Sequence, residues 1–522
     1  MGEHDKVDAV IVGSGAAGSV YAAILAEGGK DVLVLEKGPA RKLTDLYSSQ
    51  IWARRLKWGT PHVVEKGRNS IWFNFNAGQG FGGAAMHHYG VWPRYHPEDF
   101  REKTLYGKGL DWPFSYDVLR PFYDKVQRDV GISGDARQEK WRPAGEAYPL
   151  PPVRVTEHGK TIAKGFEAMG MQTSPIPIAV LSEPYKGREA CIWDGWCDAG
   201  CPTGALANPL VTYLPRATDR GAKMRAGCRV TRVLTDPAGK KATGVEYYDD
   251  KGKRHFQPAD MVILAAFAVE NPRILLNSAT DKHPNGLANS SGLVGKYLMS
   301  HPAVSVYGLF DHDMENYIGA TGGQLFNQDH FGKNNTPGAF GSRQWEIGLA
   351  LKPNDLLGIA MSRPEIYGRE LDKFMKQGVR GMGSMVGVCE ELPEMENRVE
   401  LSSQKDKYGF PLARVIHSTG QDGNALLQQS MKEGVAIFKA AGARESWHGP
   451  QGGQHLMGGA IMGETAELSV TDENSRTHDM PNLVIGGPSV FPTSSCVNST
   501  FTIHAVAMKS AEHILKNWSE YS

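Results

Sequence analysis

No run of 18 or more apolar residues occurs in the 522-residue chain, which excludes a membrane-spanning helix. No block of one charge sign stands out either. The 57 basic residues balance 57 acidic ones, so the footprint of a nucleic-acid or anionic-membrane binder is missing. Cysteine is scarce, six in all, too few for a disulfide scaffold. Internal repeats and low-complexity tracts are absent. The apolar stretch that begins at Val7 lacks the basic n-region of a signal peptide, so any export is expected to depend on another polypeptide. The chain is too long for a single core and predicts two domains, with small molecules or proteins as partners.

Glycine, by contrast, is plentiful: 61 residues, gathered in runs at 13–18, 78–83 and 452–463, where backbone must approach something closely. Val7 to Val12 is β-branched and apolar. Gly13-Ser14-Gly15-Ala16-Ala17-Gly18 then opens a helical stretch that runs to about Gly28. In a strand, tight turn and helix of this kind, Gly13 makes the turn and Gly15 admits a pyrophosphate to the backbone at the helix N-terminus. Gly18 lets helix and strand pack. A second strand, Asp31 to Leu35, ends at Glu36, placed to accept hydrogen bonds from a ribose diol. The fingerprint predicts a dinucleotide and does not separate NAD from FAD.

The second run, Gly78-Gln79-Gly80-Phe81-Gly82-Gly83-Ala84-Ala85, suits backbone contact with a diphosphate and a flavin ring. From here the chain resembles the glucose-methanol-choline (GMC) oxidoreductases, in which both segments hold FAD. The resemblance implies that Gly80, Gly82, Gly83, Ala84, His87 and Val230 join Gly13, Gly15, Ala16, Ala17, Gly18 and Glu36 around that cofactor. Met261 to Ala266 and Glu270 to Ser278 are similar to another stretch of the same domain, with Phe267 standing where a small residue is usual. In some sugar oxidases of this superfamily a histidine at about this position is bonded covalently to the flavin. By its spacing from Gly82-Gly83, His87 is the better candidate of His87 and His88, against an ordinary flavin contact or plain packing.

Near the C-terminus, His455 to Gly463 and Asn482 to Thr493 look like the family's closing motifs, and Asn498 precedes a helix in which Val506, Met508, Ala511, Ile514 and Leu515 recur at helical spacing. The family's catalytic pair is carried here by His455 and Asn498. A neutral imidazole takes the hydroxyl proton as hydride leaves for flavin N5, and Asn498 holds the same oxygen. In this fold the positive end of that helix faces the flavin pyrimidine edge. The usual Asn-Pro is Asn498-Ser499 here.

Cys191, Cys197 and Cys201 form C-x5-C-x3-C followed by Pro202. Soft thiolates suit an iron–sulfur cluster or zinc, and three ligands suit a three-iron cluster, while zinc needs a fourth from elsewhere; buried thiols are the third reading. The pattern resembles catalytic subunits of bacterial FAD-dependent glucose, fructose and gluconate dehydrogenases, which bind a 3Fe-4S cluster. It implies a sugar-type substrate, a small escort subunit, a cytochrome c acceptor, membrane contact only through partners, and a periplasmic location, or a cytoplasmic one if no partner exists; the alternative is a self-contained flavin oxidase reducing O2, with the cysteines structural. The remaining cysteines, Cys228, Cys389 and Cys496, are expected in the core.

The expected fold is α/β: a Rossmann-like FAD-binding domain (residues 1–110, 186–302 and 450–522) with a discontinuous α+β substrate domain (111–185 and 303–449) built on an antiparallel sheet. Strands are expected at 303–310, 346–351 and 382–389. Gln344, Trp345 and Glu391 are open between binding groups and ordinary surface.

Overall fold

The computed structural model describes residues 2–57, 62–66, 72–73 and 77–522. Val7–Val12 lies inside a parallel sheet whose order is Lys223–Arg225, Val32–Leu35, Val7–Val12, Arg254–Leu264 and Leu483–Ile485. These strands read as continuous apolar runs because both faces of the sheet are covered; Ala9 to Ile11 and Met261 to Leu264 are fully buried. Arg254–Leu264 is long enough for two partners. Its first half pairs antiparallel with Ala242–Tyr248, which pairs in turn with Arg229–Thr235. The helix Ala16–Glu27 follows the first strand and packs against the helices Tyr213–Asp219 and Thr500–Lys516.

The second sheet is antiparallel from Glu445–Met457 through Met299–Leu309, Met382–Cys389, Arg343–Ile347 and Leu325–Asn327 to Ser174–Pro175, with Trp72–Phe73 added parallel at the edge. The 20-residue helix Gln421–Ala440 covers one face, burying Val304, Val306, Trp345, Met385 and Phe438 in a core of their own. The other face roofs the cavity described below. An α/β Rossmann-like domain and an α+β domain on an antiparallel sheet are thus both present.

Several boundaries differ from the sequence reading. The cuts at 302 and 450 fall within the strands Met299–Leu309 and Glu445–Met457, which carry one sheet across both divisions. Residues 111–132, assigned by sequence to the second domain, put Trp112, Phe114, Tyr116, Tyr123 and Val126 into the nucleotide-domain core, where Tyr123 Oη meets Thr502 Oγ1 at 2.6 Å. The strand expected at 346–351 runs from Arg343 to Ile347, because Gly348 turns the chain at φ 75°. The last helix, read as amphipathic, is buried on nearly every face from Phe501 to Ala511.

One buried charge cluster ties the halves together. Lys333 Nζ donates to Asp99 (2.6 Å), Glu102 (2.9 Å) and Glu390 (2.7 Å), with all four side chains buried. The three carboxylates are close enough to hold a metal ion, but the ammonium already occupies that place.

Candidate active site

A cavity of about 680 Å³ opens between the two sheets. Gly13, Gly15, Ala16 and Ala17 form one end of its lining, and Glu36, Gly83, Ala84, His87 and Val230 join them. Gly18, Gly80 and Gly82 are not in the lining. The glycines of the first turn play separate parts. Gly13 has φ 100°, a conformation costly for any other residue. A Cβ on Gly18 would stand 2.0 Å from the Gly13 carbonyl oxygen, so no side chain fits there. At Gly15 the protein would leave a Cβ free to 3.9 Å, and only something within the cavity requires that residue to be bare.

Glu36 is more heavily engaged than its sequence position suggests. Its Oε2 accepts from Ser14 N–H (3.1 Å) and Ser14 Oγ–H (2.9 Å), and its Oε1 from Gly38 N–H (2.9 Å) and Gly80 N–H (3.0 Å). About four acceptor positions are all a carboxylate has. Glu36 therefore pins the two glycine runs to each other at the cavity wall, where the sequence places its ribose acceptor.

At the other end, His455 sits at φ 59° near the end of its strand, its Nδ1 3.0 Å from His301 Nδ1. His301 Nε2 lies 3.0 Å from the Ser494 carbonyl, which also accepts from Tyr95 Oη at 2.6 Å. This chain assigns the tautomers. His301 donates from Nε2 to Ser494, its Nδ1 accepts from His455 Nδ1–H, and His455 Nε2 is left with a lone pair. Burial, with a smaller contribution from His301, pushes His455 down to about 3; burial lowers His301 to about 4. Both rings are neutral near pH 7.

Asn498 is oriented by a second chain. Its Oδ1 accepts from Gln344 Nε2 (3.0 Å), Gln344 Oε1 accepts from Gln328 Nε2 (3.0 Å), and His96 Nε2 lies 3.2 Å from Gln328 Oε1. The Asn498 amide then donates to the buried carboxyl of Glu346. His455, Asn498 and Glu346 all line the cavity, as do the first residues of the Thr500–Lys516 helix.

Residues 7–303 and 393–507 match the GMC oxidoreductase family. The chain belongs to that family. It is 32% identical to 2-methyl-1,2-propanediol dehydrogenase of Mycolicibacterium austroafricanum, over 99% of this chain and 96% of that one. It is 28% identical to the fructose dehydrogenase large subunit of Gluconobacter japonicus, over 98% of both chains. A solved formate oxidase of Aspergillus oryzae, described for modification of its FAD, shares the fold with a TM-score of 0.68 at 15% identity, covering 100% of this chain and 99% of that one.

As a GMC oxidoreductase the protein uses FAD, and the bare backbone at Gly15, the glycines in the lining and the volume of the cavity fit that group. His87 lines the cavity with a buried Nε2 that meets no hydrogen-bond partner among the described residues, and burial pushes it down to about 3. His88 also lines the cavity, but both its ring nitrogens are engaged: Nε2 donates to the Ala207 carbonyl at 2.7 Å, and Gly90 N–H donates to its Nδ1. Phe267 lines the cavity at φ 90°, an outlying conformation for a bulky residue.

Cys191, Cys197 and Cys201 come together in one loop, and each sulfur receives a backbone N–H: from Trp193 (3.3 Å), Thr321 (3.5 Å) and Leu206 (3.3 Å). Burial first, then the neighbouring thiols, pushes Cys191 and Cys197 up to about 12. Thiols packed this way ionise readily only beside a cation such as a metal. Thr321 and Asp198, on either side of Cys197, also line the cavity. Cys389 and Cys496 are buried away from this loop, while Cys228, also buried, reaches the cavity wall.

Gln344, Trp345 and Glu391 are all buried, so none is ordinary surface. Gln344 serves Asn498 and Trp345 fills the second core. Glu391 accepts from Ser300 N–H and pairs with His417. Sequence reasoning missed His301 and Glu346. Neither belongs to a motif, and only strand pairing brings them to the site.

Proposed function

We propose that this protein is a dehydrogenase that oxidises a hydroxyl of a sugar, glycoside, sugar acid or related polyol. The observation that carries the reading is the lone pair on His455 Nε2, set by the chain from Ser494 through His301, beside an amide of fixed orientation on the same cavity. When bound, FAD supplies the hydride acceptor. Asn498 holds the reacting oxygen, and His455 Nε2 accepts its proton. A base held at about 3 is weak toward an alcohol. It suffices once hydride departs, because the hydroxyl of the resulting cationic carbon is strongly acidic. The sheet above the site excludes water.

Cys191, Cys197 and Cys201 would hold a three-iron cluster, which supplies one-electron transfer to a cytochrome c. Three soft thiols, each hydrogen-bonded from the backbone and next to the cavity wall, support this reading. The relative named as a large subunit supports a partner subunit, and we propose a small escort subunit and a periplasmic site of action.

Anaerobic purification followed by iron and sulfide analysis, then stopped-flow flavin reduction with a panel of sugars and polyols, tests the proposal. About three irons per flavin, bleaching by at least one polyol and slow reoxidation by O2 are expected. Absence of iron with rapid reoxidation by O2 would make the protein an oxidase.

A further inference from the structure

Glu36 is buried against four N–H and O–H donors, and other buried acids in this protein have cations beside them. Glu390 and Asp99 share Lys333, Glu270 faces Arg273, and Glu246 faces Arg232. Glu346 has none. It is 3% exposed, and among the described residues no lysine, arginine or histidine forms an ion pair with it. Its known partners are amides: Asn498, and Gln344 Nε2 at a long 3.5 Å. A carboxylate offers about four acceptor positions, so at least two remain on a side chain that lines the cavity. Burying such a group without donors is costly, and a site that keeps one is built to receive donors from its ligand.

The position of Glu346 narrows what that ligand is. Its carboxyl is one hydrogen bond from the Asn498 amide, the group that holds the oxygen being oxidised. In a gauche 1,2-diol the two oxygens are themselves separated by about the length of one hydrogen bond. A substrate with its reacting hydroxyl on Asn498 and His455 thus brings a neighbouring hydroxyl against Glu346. Ser305, Tyr307 and Ser384 line the same cavity. We propose that Glu346 is a specificity-determining residue that accepts a hydrogen bond from a second hydroxyl, vicinal to the one oxidised, so that the protein selects 1,2-diols and polyols over simple alcohols. This deepens the dehydrogenase reading above and rests on it for the place of the reacting oxygen.

The test uses the FAD-loaded enzyme and its Glu346→Ala and Glu346→Gln variants, each first matched for flavin content. Anaerobic flavin reduction is compared for 1,2-propanediol, 1-propanol and 1-amino-2-propanol. The parent is expected to favour the diol over 1-propanol by about 10²-fold or more, since a site with an unmet acceptor rejects the analogue that lacks the donor. Glu346→Ala should lower that ratio at least tenfold, with Glu346→Gln between, because its amide oxygen still accepts. An unchanged ratio in Glu346→Ala overturns the proposal, as does a preference for the amino alcohol over the diol that Glu346→Ala abolishes. Binding of pinacol, a diol with no oxidisable carbinol hydrogen, is followed by the flavin absorbance shift with tert-butanol as control. Pinacol should bind at least tenfold more weakly to Glu346→Ala; equal binding overturns the proposal. If no alcohol reduces the flavin yet pinacol binding depends on Glu346, the dehydrogenase reading fails and the diol site stands.

Discussion

At the residue scale the site consists of neutral groups whose hydrogen-bond directions are set from behind. Replacing His455 by Ala removes the proton acceptor and should slow flavin reduction by about 10²–10⁴-fold at unchanged FAD content, measured by anaerobic stopped flow. Asn498→Ala removes a hydrogen bond only and should cost less. Glu346 also bears on stability. Burial raises its carboxyl to about 7 from an ordinary value of 4.5. An acid whose folded value is raised keeps its proton in the native state after the unfolded chain has released it. Stability contributed by the protonated form is therefore present below pH 4.5 and is lost between about 4.5 and 7, by at most about 3 kcal/mol. Glu346→Gln, which has no charge to bury, should melt a few degrees above the parent at pH 8 and level with it at pH 4.5, by thermal scans on flavin-matched protein.

At the scale of elements, the first strand, turn and helix separate folding from binding. Gly15→Val places its Cβ beside the cavity with no protein atom nearer than 3.9 Å, so the expected product is folded protein with little or no FAD, read from flavin absorbance and circular dichroism. Gly18→Ala instead drives a methyl group into the Gly13 carbonyl. It should lower folded yield and melting temperature even before the cofactor is considered. The turn was legible because local geometry demands Gly13 and Gly18 and a bound group demands Gly15. Glu36 was only half legible. Its distance along the chain suggests a ribose, whereas the second glycine run, 44 residues later, brings Gly80 to the same carboxylate.

Across the whole molecule, two features join the halves. Lys333 links Asp99 and Glu102, beside the nucleotide domain, to Glu390 just beyond the end of the Met382–Cys389 strand. Lys333→Met strands those carboxylates without their cation and should cost about 3–5 kcal/mol, seen as a loss of denaturant resistance. The cysteine loop is the second. Its core includes Val91, Leu150, Ile178 and Phe326 from separate parts of the chain. Cys197→Ser should lose the iron and its EPR signal, because a hydroxyl replaces a soft thiolate poorly. Single-turnover flavin reduction should persist while reduction of a cytochrome falls sharply. A variant that lacks iron yet reduces cytochrome at the parental rate would remove the cluster from the electron route.

The nucleotide fold, the use of FAD, the candidate pair His455 and Asn498 and the candidate cysteine ligands were all readable from the chain, because each lies in a short segment whose chemistry depends on neighbours in sequence. His301 and Glu346 were not, and Gln344 was legible only as one of two alternatives. All three come from two strands, Met299–Leu309 and Arg343–Ile347, on either side of Met382–Cys389, and strand register and the alternation of side chains bring Glu346 to the cavity wall and His301 and Gln344 against His455 and Asn498. The domain boundaries were lost for the same reason. Tyr123 and Trp112 are ordinary aromatic residues until the last helix of the chain packs against them. Local sequence thus marked the candidate groups for the chemistry, and long-range packing decided their tautomers, their orientation and which acid lines the cavity beside them.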